Sequence, residues 1–527
     1  MRRRDWLKGA AALLASSPGR LRAQARLAPG PVEPTMESLR EHFVVPDWYR
    51  DAKLGMWAHW GPQCAPEAGD WYGRHLYLEG EAQAAIHRRL YGHPADHGFI
   101  DVIAGWRAEE WDPDAVFGAY KAAGARFLVG MACHHDNFDL FASPHPWNAT
   151  RIGPGRDLVA GWAAAARRLD LPFGVSNHAS HSWHWWQTAY GYDTVGPRAG
   201  ERYDAWRLTA AEGAGTAWEG LDPQALYTGP RMVPPAGLES PEAMRRWHDD
   251  TSGQWIEAAP PGDPGYALHW LARQMQLVER YEPDFLYQDS HYLPFGAIGQ
   301  MAAAHFYNRA IARTGAFTGV MSAGFRQGEG TLHNFERKAA GDILPEPWQA
   351  ATCIGDWHYN RARFRDRSYV GAADVIRQLV DIVSKNGTLL LSVPVRGNGT
   401  LDPLEHGILA ALGRWMGREG EAAIYGSRPW RVFGQEQGGG VRYTRKRETL
   451  SASLLDPQPG ELALTSLGTG QLRGARIGAV RLVGGGPVPF EQRDDALAVS
   501  IDARTAGGTV PVLAIEGVSA SFAGLAA

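Results

Sequence analysis

From about residue 40 to about residue 425, short apolar runs alternate with stretches of helical periodicity. Arg126-Phe127-Leu128-Val129-Gly130-Met131 reads as a buried strand, and Asp157 to Leu169 then carries apolar residues at helical spacing. Phe173-Gly174-Val175 is a second such strand. Ala267 to Tyr281 is helical, and Phe285-Leu286-Tyr287 is a strand that Asp289 follows closely. Asp374 to Lys385 is helical again, and Thr388 to Val393 is a strand. Continuous apolar strands separated by amphipathic helices predict a parallel sheet covered on both faces.

Polar clusters sit just after these strands: His134-His135-Asp136-Asn137 after the first, Asn177-His178 after the second, Asp289 after the third. In a (β/α)-barrel that end of the sheet is the active-site face. A doubly wound sheet also binds ligands at strand C-termini, and the chain length favours the barrel. After Arg428-Pro429-Trp430 the pattern changes to short strand-like segments, Val441-Arg442-Tyr443-Thr444 and Val480-Arg481-Leu482-Val483, between turns such as Asp456-Pro457 and Gly484-Gly485-Gly486. The expected architecture is therefore α/β: a (β/α)8-type barrel over residues 26–428, then a β-sandwich over 429–527. Within the barrel, 190–263 is rich in Gly and Pro and reads as an insertion of little periodicity, of the kind that forms lids.

Composition refines this picture. A hydrophobic fraction of 44% and a charged fraction of 21% describe a globular chain. A formal net charge of -4 gives no reason to expect nucleic acid or a membrane as partner. The chain has 21 tryptophans, many beside His, Asp or Gly, a composition suited to sugars, whose C–H faces pack on rings while polar groups take the hydroxyls. Cys64, Cys133 and Cys353 match no disulfide framework and no zinc spacing, and are expected to be small buried residues. At the N-terminus, Arg2, Arg3 and Arg4 precede a short apolar run from Gly9 to Ala15 and the small-x-small site Ala23-Gln24-Ala25. Residues 1–25 thus read as a secretory signal. The order Arg3-Arg4-Asp5-Trp6-Leu7-Lys8 looks like a twin-arginine signal, implying a bacterial protein exported folded to the periplasm or beyond.

Four segments concentrate His, Trp and carboxylates. They are Met56-Trp57-Ala58-His59-Trp60-Gly61 with Asp70-Trp71-Tyr72; Cys133-His134-His135-Asp136-Asn137-Phe138; Pro283-Asp284-Phe285-Leu286-Tyr287-Gln288-Asp289; and Phe335-Glu336-Arg337 through Trp348 to Trp357-His358-Tyr359. In order and spacing these segments resemble the α-L-fucosidase family of retaining glycoside hydrolases. Its members carry a His-Trp-Gly segment leading to Glu-Trp-Tyr, a His-His-Asp-Gly-Phe turn and a Pro-Asp-x-x-Trp-x-Asp strand end. Here Asp70, Asn137 and Tyr287 stand in the Glu, Gly and Trp places. Val380 to Leu391, with Gly420-Glu421 and Ile424-Tyr425-Gly426, resembles the end of that barrel.

The resemblance implies an exo-acting enzyme that releases a terminal α-L-fucose, or a closely related sugar, from a glycan by double displacement. Asp289 would be the nucleophile, where a bare reading of Asp289-Ser290 gives a helix N-cap. Glu336 is preferred as acid/base over its rival Glu346 in Pro345-Glu346-Pro347. His59, Asp70, Trp71, His134, His135, His178, Tyr287 and Arg326 would bind substrate. No cofactor and no metal are expected, and homo-oligomerisation is left open. Two departures touch the substrate: after Phe173-Gly174-Val175 the family usually has aromatic residues, whereas this chain has Ser176-Asn177-His178, and Tyr287 in the Trp place lies beside the nucleophile.

Two other classes compete. A metal-dependent hydrolase would draw ligands from His178, His181 and His184 with His134, His135 and Asp136, although no HExxH or similar spacing is present. A carbohydrate-binding protein without catalysis would lack the carboxylates that Asp289 and Glu336 supply. Phosphoryl transfer is disfavoured because no phosphate-cradling Gly-rich loop precedes a helix.

Overall fold

The computed structural model describes residues 27–517 apart from 236, 254–258, 264 and 325–328; the signal-like segment 1–25 and Arg326 lie outside the described residues. Eight parallel strands form one sheet: β1 (Leu54–Ala58), β2 (Phe127–Cys133), β3 (Phe173–Asn177), β4 (Phe285–Gln288), β5 (Val320–Ala323), β6 (His333–Glu336), β7 (Trp348–Cys353) and β8 (Gly387–Ser392). Their order is β5-β4-β3-β2-β1-β8-β7-β6. The two ends meet where the Leu332 N–H donates to the Met321 carbonyl at 2.8 Å and Ser322 bridges Leu332, closing the barrel. Strands β1 to β5 and β8 are buried along their whole length, which is why they read as unbroken apolar runs.

The crossover helices begin at side-chain caps written in the sequence. Asp157 accepts from the Ala160 N–H ahead of helix Leu158–Arg168, and Asp402 with Glu405 forms a capping box ahead of helix Pro403–Trp415. Helices Tyr266–Tyr281 and Ala372–Ser384 fall within two residues of the periodic stretches that predict them. Strict strand–helix alternation fails at one place. Among the described residues, no helix joins β5 to β6 or β6 to β7. The segment from Leu27 onward covers this seam instead. Helix Met36–His42 lays Leu39 against Gly330, and the Asn308 side chain binds the Val32 N–H at 3.0 Å and the Val32 carbonyl at 2.9 Å. Gly330 has φ +73°, and a Cβ there would lie 2.6 Å from the Leu39 Cβ, so only glycine allows this approach.

The described part of the insertion is folded rather than loose. Short helices Asp204–Arg207, Pro223–Tyr227 and Pro241–Thr251 punctuate it, and Trp218, Leu226 and Tyr227 join the barrel core. Two buried carboxyls anchor it. Asp204 accepts from the Tyr77 and Tyr227 hydroxyls, each at 2.9 Å, and burial pushes it up to about 7. Asp193 meets Arg88 at 2.6 Å, His93 at 2.8 Å and the Tyr203 hydroxyl at 2.6 Å. These anchors come from side chains outside the insertion and from within it, so hydrophobic periodicity alone does not disclose them.

From Arg428 the chain forms antiparallel sheets: β9 (Arg428–Gln435), β10 (Val441–Lys446), β11 (Thr449–Leu454), β12 (Gly460–Leu464), β13 (Ala479–Leu482), β14 (Phe490–Gln492), β15 (Leu497–Ile501) and β16 (Val512–Glu516). One sheet runs β13-β16-β11-β10-β9 and the other β12-β15-β14, around a core of their own that includes Trp430, Tyr443 and Leu513. Arg442 joins it to the barrel through Asp381 at 2.6 Å. All three cysteines are free and buried.

Because Leu39 is fully buried over a seam without its own helix, Leu39→Ala is expected to destabilise the barrel by about 2–5 kcal/mol. Urea denaturation followed by barrel tryptophan fluorescence measures it; an unchanged midpoint would show that this segment does not hold the seam.

Candidate active site

The ends of β1, β2, β3, β4 and β6 deliver polar groups to the same mouth of the barrel. His59 follows β1, His134 and His135 follow β2, His178 follows β3, Asp289 follows β4, and Glu336 is the last residue of β6. Asp289 is no helix cap, since the next helix begins at Ala297. Its side chain is 22% exposed, and its Oδ2 lies 3.2 Å from His135 Nε2 and 3.3 Å from His178 Nδ1. His135 is fixed from behind: its Nδ1 donates to the His178 carbonyl at 2.9 Å, which aims Nε2 at the carboxylate.

The two carboxyl groups are driven apart. Burial opposes ionisation of Asp289, but His178 and His135 together outweigh it and hold the group well below the usual carboxylate range. Glu336 goes the other way: burial and the nearby Asp289 charge push it up to about 7, against Arg337 and a hydrogen bond from Trp357. Both carboxylates act on the Tyr287 phenol, which burial keeps neutral. Tyr287 is packed against Trp57 at 4.6 Å between ring centroids, and its hydroxyl accepts from Asn334 Nδ2 at 3.2 Å.

Of the other sequence-derived residues, Asp70 accepts from the His358 N–H at 2.8 Å and lies 3.8 Å from Arg337. It is kept below its ordinary range: burial raises it, and contacts with His358 more than offset that. Trp71 holds φ +56°, a sparsely used conformation for a large side chain, with its ring 6.3 Å from that of His135. His59, His134 and His178 are buried, and burial and neighbouring imidazoles press all three below the usual histidine range. Glu346 is a different case. It is exposed, directly before β7, at the end of the barrel opposite Glu336, where it lines a cleft with Arg40, Phe43 and Gly330.

Several participants are given no role by the sequence. The Gln63 amide donates to His134 Nδ1 at 2.8 Å and to Asp136 Oδ2 at 3.2 Å, which places the His134 proton on Nε2. Trp57, Trp357 and His358 wall the site by ring contacts with His59 at 3.8, 5.0 and 5.7 Å. Their positions in the Trp-rich segments hint at this, but Gln63 and Asn334 are ordinary polar residues until the barrel brings them in.

Two sets of side chains have ligand atoms within 4.8 Å of one another: His59, His134 and His178, and His135, His178 and Asp289. The trio His178, His181 and His184 suggested by spacing is not gathered. His181 and His184 line a small pocket with Arg74, Trp185 and Ser252, where Arg74 donates to the His184 carbonyl at 3.1 Å, while His178 lies with His59, His134 and Asp289. Asp136 is turned toward Gln63 and the Phe138 N–H, not toward the imidazoles of that trio. The His134 proton on Nε2 suits hydrogen bonding to oxygen better than ligation of a cation.

Comparison with known proteins matches this arrangement to one family. The sequence profile described as alpha-L-fucosidase covers residues 20–421. Tissue alpha-L-fucosidase of Rattus norvegicus is 26% identical over 454 residues, spanning 84% of this chain and 82% of that protein. Plasma alpha-L-fucosidase of Homo sapiens is 24% identical, spanning 79% and 76%. The crystal structure of Thermotoga maritima alpha-fucosidase superposes with a TM-score of 0.67 at 25% identity, covering 92% of this chain and 99% of that one. Alpha-L-fucosidase isoenzyme 1 from Paenibacillus thiaminolyticus gives 0.63 at 22% identity, covering 91% and 99%.

The Trp357 hydrogen bond favours ionised Glu336, so Trp357→Phe is expected to raise the Glu336 midpoint further above about 7. A 13C NMR titration of the Glu336 carboxyl reads this directly. A midpoint that stays or falls would remove Trp357 from the electrostatics of the site.

Proposed function

This chain belongs to the alpha-L-fucosidase family, and from that premise we propose that it is an exo-acting retaining glycoside hydrolase releasing a terminal α-L-fucose, or a closely related α-L-sugar, from a glycan. The observation that carries the reading is the placement of two carboxyl groups at one barrel mouth in opposite surroundings, Asp289 against His135 and His178 and Glu336 pushed up to about 7 by burial and the Asp289 charge. Paired carboxyls of opposite protonation are what double displacement at an anomeric carbon requires.

In the first step an Asp289 oxygen attacks the anomeric carbon while the Glu336 proton moves to the glycosidic oxygen, which leaves as the alcohol. The sugar is then esterified to Asp289. In the second step the Glu336 carboxylate takes a proton from water, the resulting oxygen attacks the same carbon, and Asp289 is released with net retention. His135 and His178 hold Asp289 as an anion and in orientation, so the attacking oxygen needs no proton removed. His59, His134, Asp70 and Trp71 surround the space where the sugar hydroxyls would lie. The chemistry needs no cofactor, and residues 26–428 would carry all of it, with 429–527 an accessory sandwich.

The N-terminal Arg3-Arg4-Asp5-Trp6-Leu7-Lys8 supports export of the folded protein to the periplasm or medium. Among the described residues no helix is long and apolar enough to cross a membrane.

Three variants test the roles. Asp289→Gly is expected to lose aryl glycoside turnover, and sodium azide to restore product release as the glycosyl azide of inverted configuration. Glu336→Ala is expected to lower kcat/KM by about 10²–10⁴-fold, while Glu346→Ala leaves it unchanged. Full activity in Asp289→Gly, or equal losses in the two glutamate variants, would overturn the assignments.

The pH profile gives a further check. Glu336 must hold its proton, so kcat/KM should fall as pH rises through about 7. Asp289 must be ionised, so the acid limb should lie well below the ordinary carboxylate range. A profile still rising above pH 8 would contradict the acid role of Glu336.

A further inference from the structure

Away from the barrel mouth, and sharing no residue with it, the barrel and the C-terminal sandwich enclose a cleft of about 910 Å³. That size lies near the top of the range in which proteins hold small ligands, about 300–1,000 Å³. The end of helix Pro403–Trp415 and the turn after it bring Arg414, Arg418 and Glu419 to the cleft, and helix Ala503–Ala506 of the sandwich brings Arg504. Three guanidinium groups against one carboxylate make the cleft positive, on a chain whose formal net charge is -4.

These groups differ in how far they are committed. Arg418 is tied down: its Nε donates to Glu419 Oε1 at 2.8 Å, and its stem passes Gly484, where a Cβ would lie 2.4 Å from the Arg418 Cδ. Arg414 and Arg504 are exposed, and among the described residues neither is in an ion pair. The acids near the cleft are engaged elsewhere, Asp374 with Arg377 at 2.9 Å and Asp502 as a cap on the Thr505 N–H at 2.6 Å. Glu419 is 5% exposed at its side chain, and its Oε2 is buried with no hydrogen-bond partner. A carboxylate oxygen in that state costs free energy until a donor reaches it. Ile376, Trp415 and Leu482 supply the apolar part of the wall, with Trp415 fixed by donation to the Val510 carbonyl at 3.0 Å.

Two uncommitted guanidinium groups suit an anion, the unpaired Glu419 oxygen suits a hydroxyl donor, and the aromatic and aliphatic wall suits a C–H face. A simple anion meets only the first of these demands, and a neutral sugar only the other two. We propose that this cleft is a second, non-catalytic carbohydrate site that takes an acidic oligosaccharide, its anionic groups being carboxylate or sulfate. The choice of a sugar rests on the glycosidase reading above, whereas the demand for an anion rests on the arginines alone. An enzyme so equipped holds an acidic glycan at the cleft while the barrel mouth takes its chain ends, which raises the local concentration of those ends.

The test is calorimetric titration of the full-length protein with tetragalacturonate, a carboxylate probe, and with sulfated maltotetraose, a sulfate probe, beside unsulfated maltotetraose. At least one acidic probe is expected to bind about 10-fold or more tighter than the neutral one, and the tighter of the two identifies the anion. Combining Arg414→Gln with Arg504→Gln should weaken that binding by about 10-fold or more and leave hydrolysis of 4-nitrophenyl α-L-fucoside unchanged. Neither probe should compete with the fucoside. No binding, equal binding of the neutral probe, undiminished binding by the double variant, or competition with the fucoside overturns the inference. Arginine-dependent binding in a protein that hydrolyses no fucoside or related sugar removes the glycosidase reading instead and leaves the cleft as an anion-dependent sugar site.

Discussion

A carboxylate that stays ionised while largely enclosed by protein is the constraint around which this barrel is arranged. Left alone, burial would neutralise Asp289. The imidazoles of His135 and His178 prevent this, and the ionised Asp289 in turn helps to keep Glu336 protonated. The asymmetry of the pair is therefore produced by the pair together with its imidazole neighbours. Three of the site's histidines have support of their own: the His178 carbonyl for His135, the Gln63 amide for His134, and Ser392 at 3.4 Å for His59.

That support continues downward through the barrel as a chain of buried hydrogen bonds. Tyr49, packed on Phe127 and Phe285 at the strand N-termini, donates to Gln349 at 2.7 Å. Gln349 donates to Asn334 at 2.9 Å, and Asn334 donates to the Tyr287 hydroxyl beneath the two carboxyls. Polar groups this deep are stabilising only when satisfied, so the chain fixes side-chain rotamers from the plug of the barrel to its mouth. In parallel, Trp57 donates to Ser176 at 3.1 Å and steadies the ring against which His59 lies.

Much of this is legible in the sequence, and the remainder is hidden for identifiable reasons. Strands buried on both faces and helices with side-chain caps announce themselves as apolar runs and Asp-initiated periodic segments. The polar clusters after the strands point at the correct end of the sheet. The bare crossovers between β5, β6 and β7 are not legible, because their cover comes from residues 27–45, far away in sequence. The insertion looks structureless because its helices are short and its anchors, Asp193 and Asp204, are single carboxyls with distant partners. The two candidate acids, Glu336 and Glu346, differ by ten positions in sequence, and which end of a strand each occupies separates them only once β6 and β7 are placed.

The seam cover has a consequence for the order in which the molecule can be assembled. Helix Met36–His42 emerges early in synthesis, yet the surface it shields, around Asn308 and Gly330, is made almost 300 residues later. Until then Leu39 and Val32 have no hydrophobic surface of their own to bury against. The nascent chain therefore carries this segment without its partner while the strands up to the seam are made, and closure of the barrel is a late, long-range event. A protein built this way leaves the ends of its sheet unsealed until residues far apart in the chain have met.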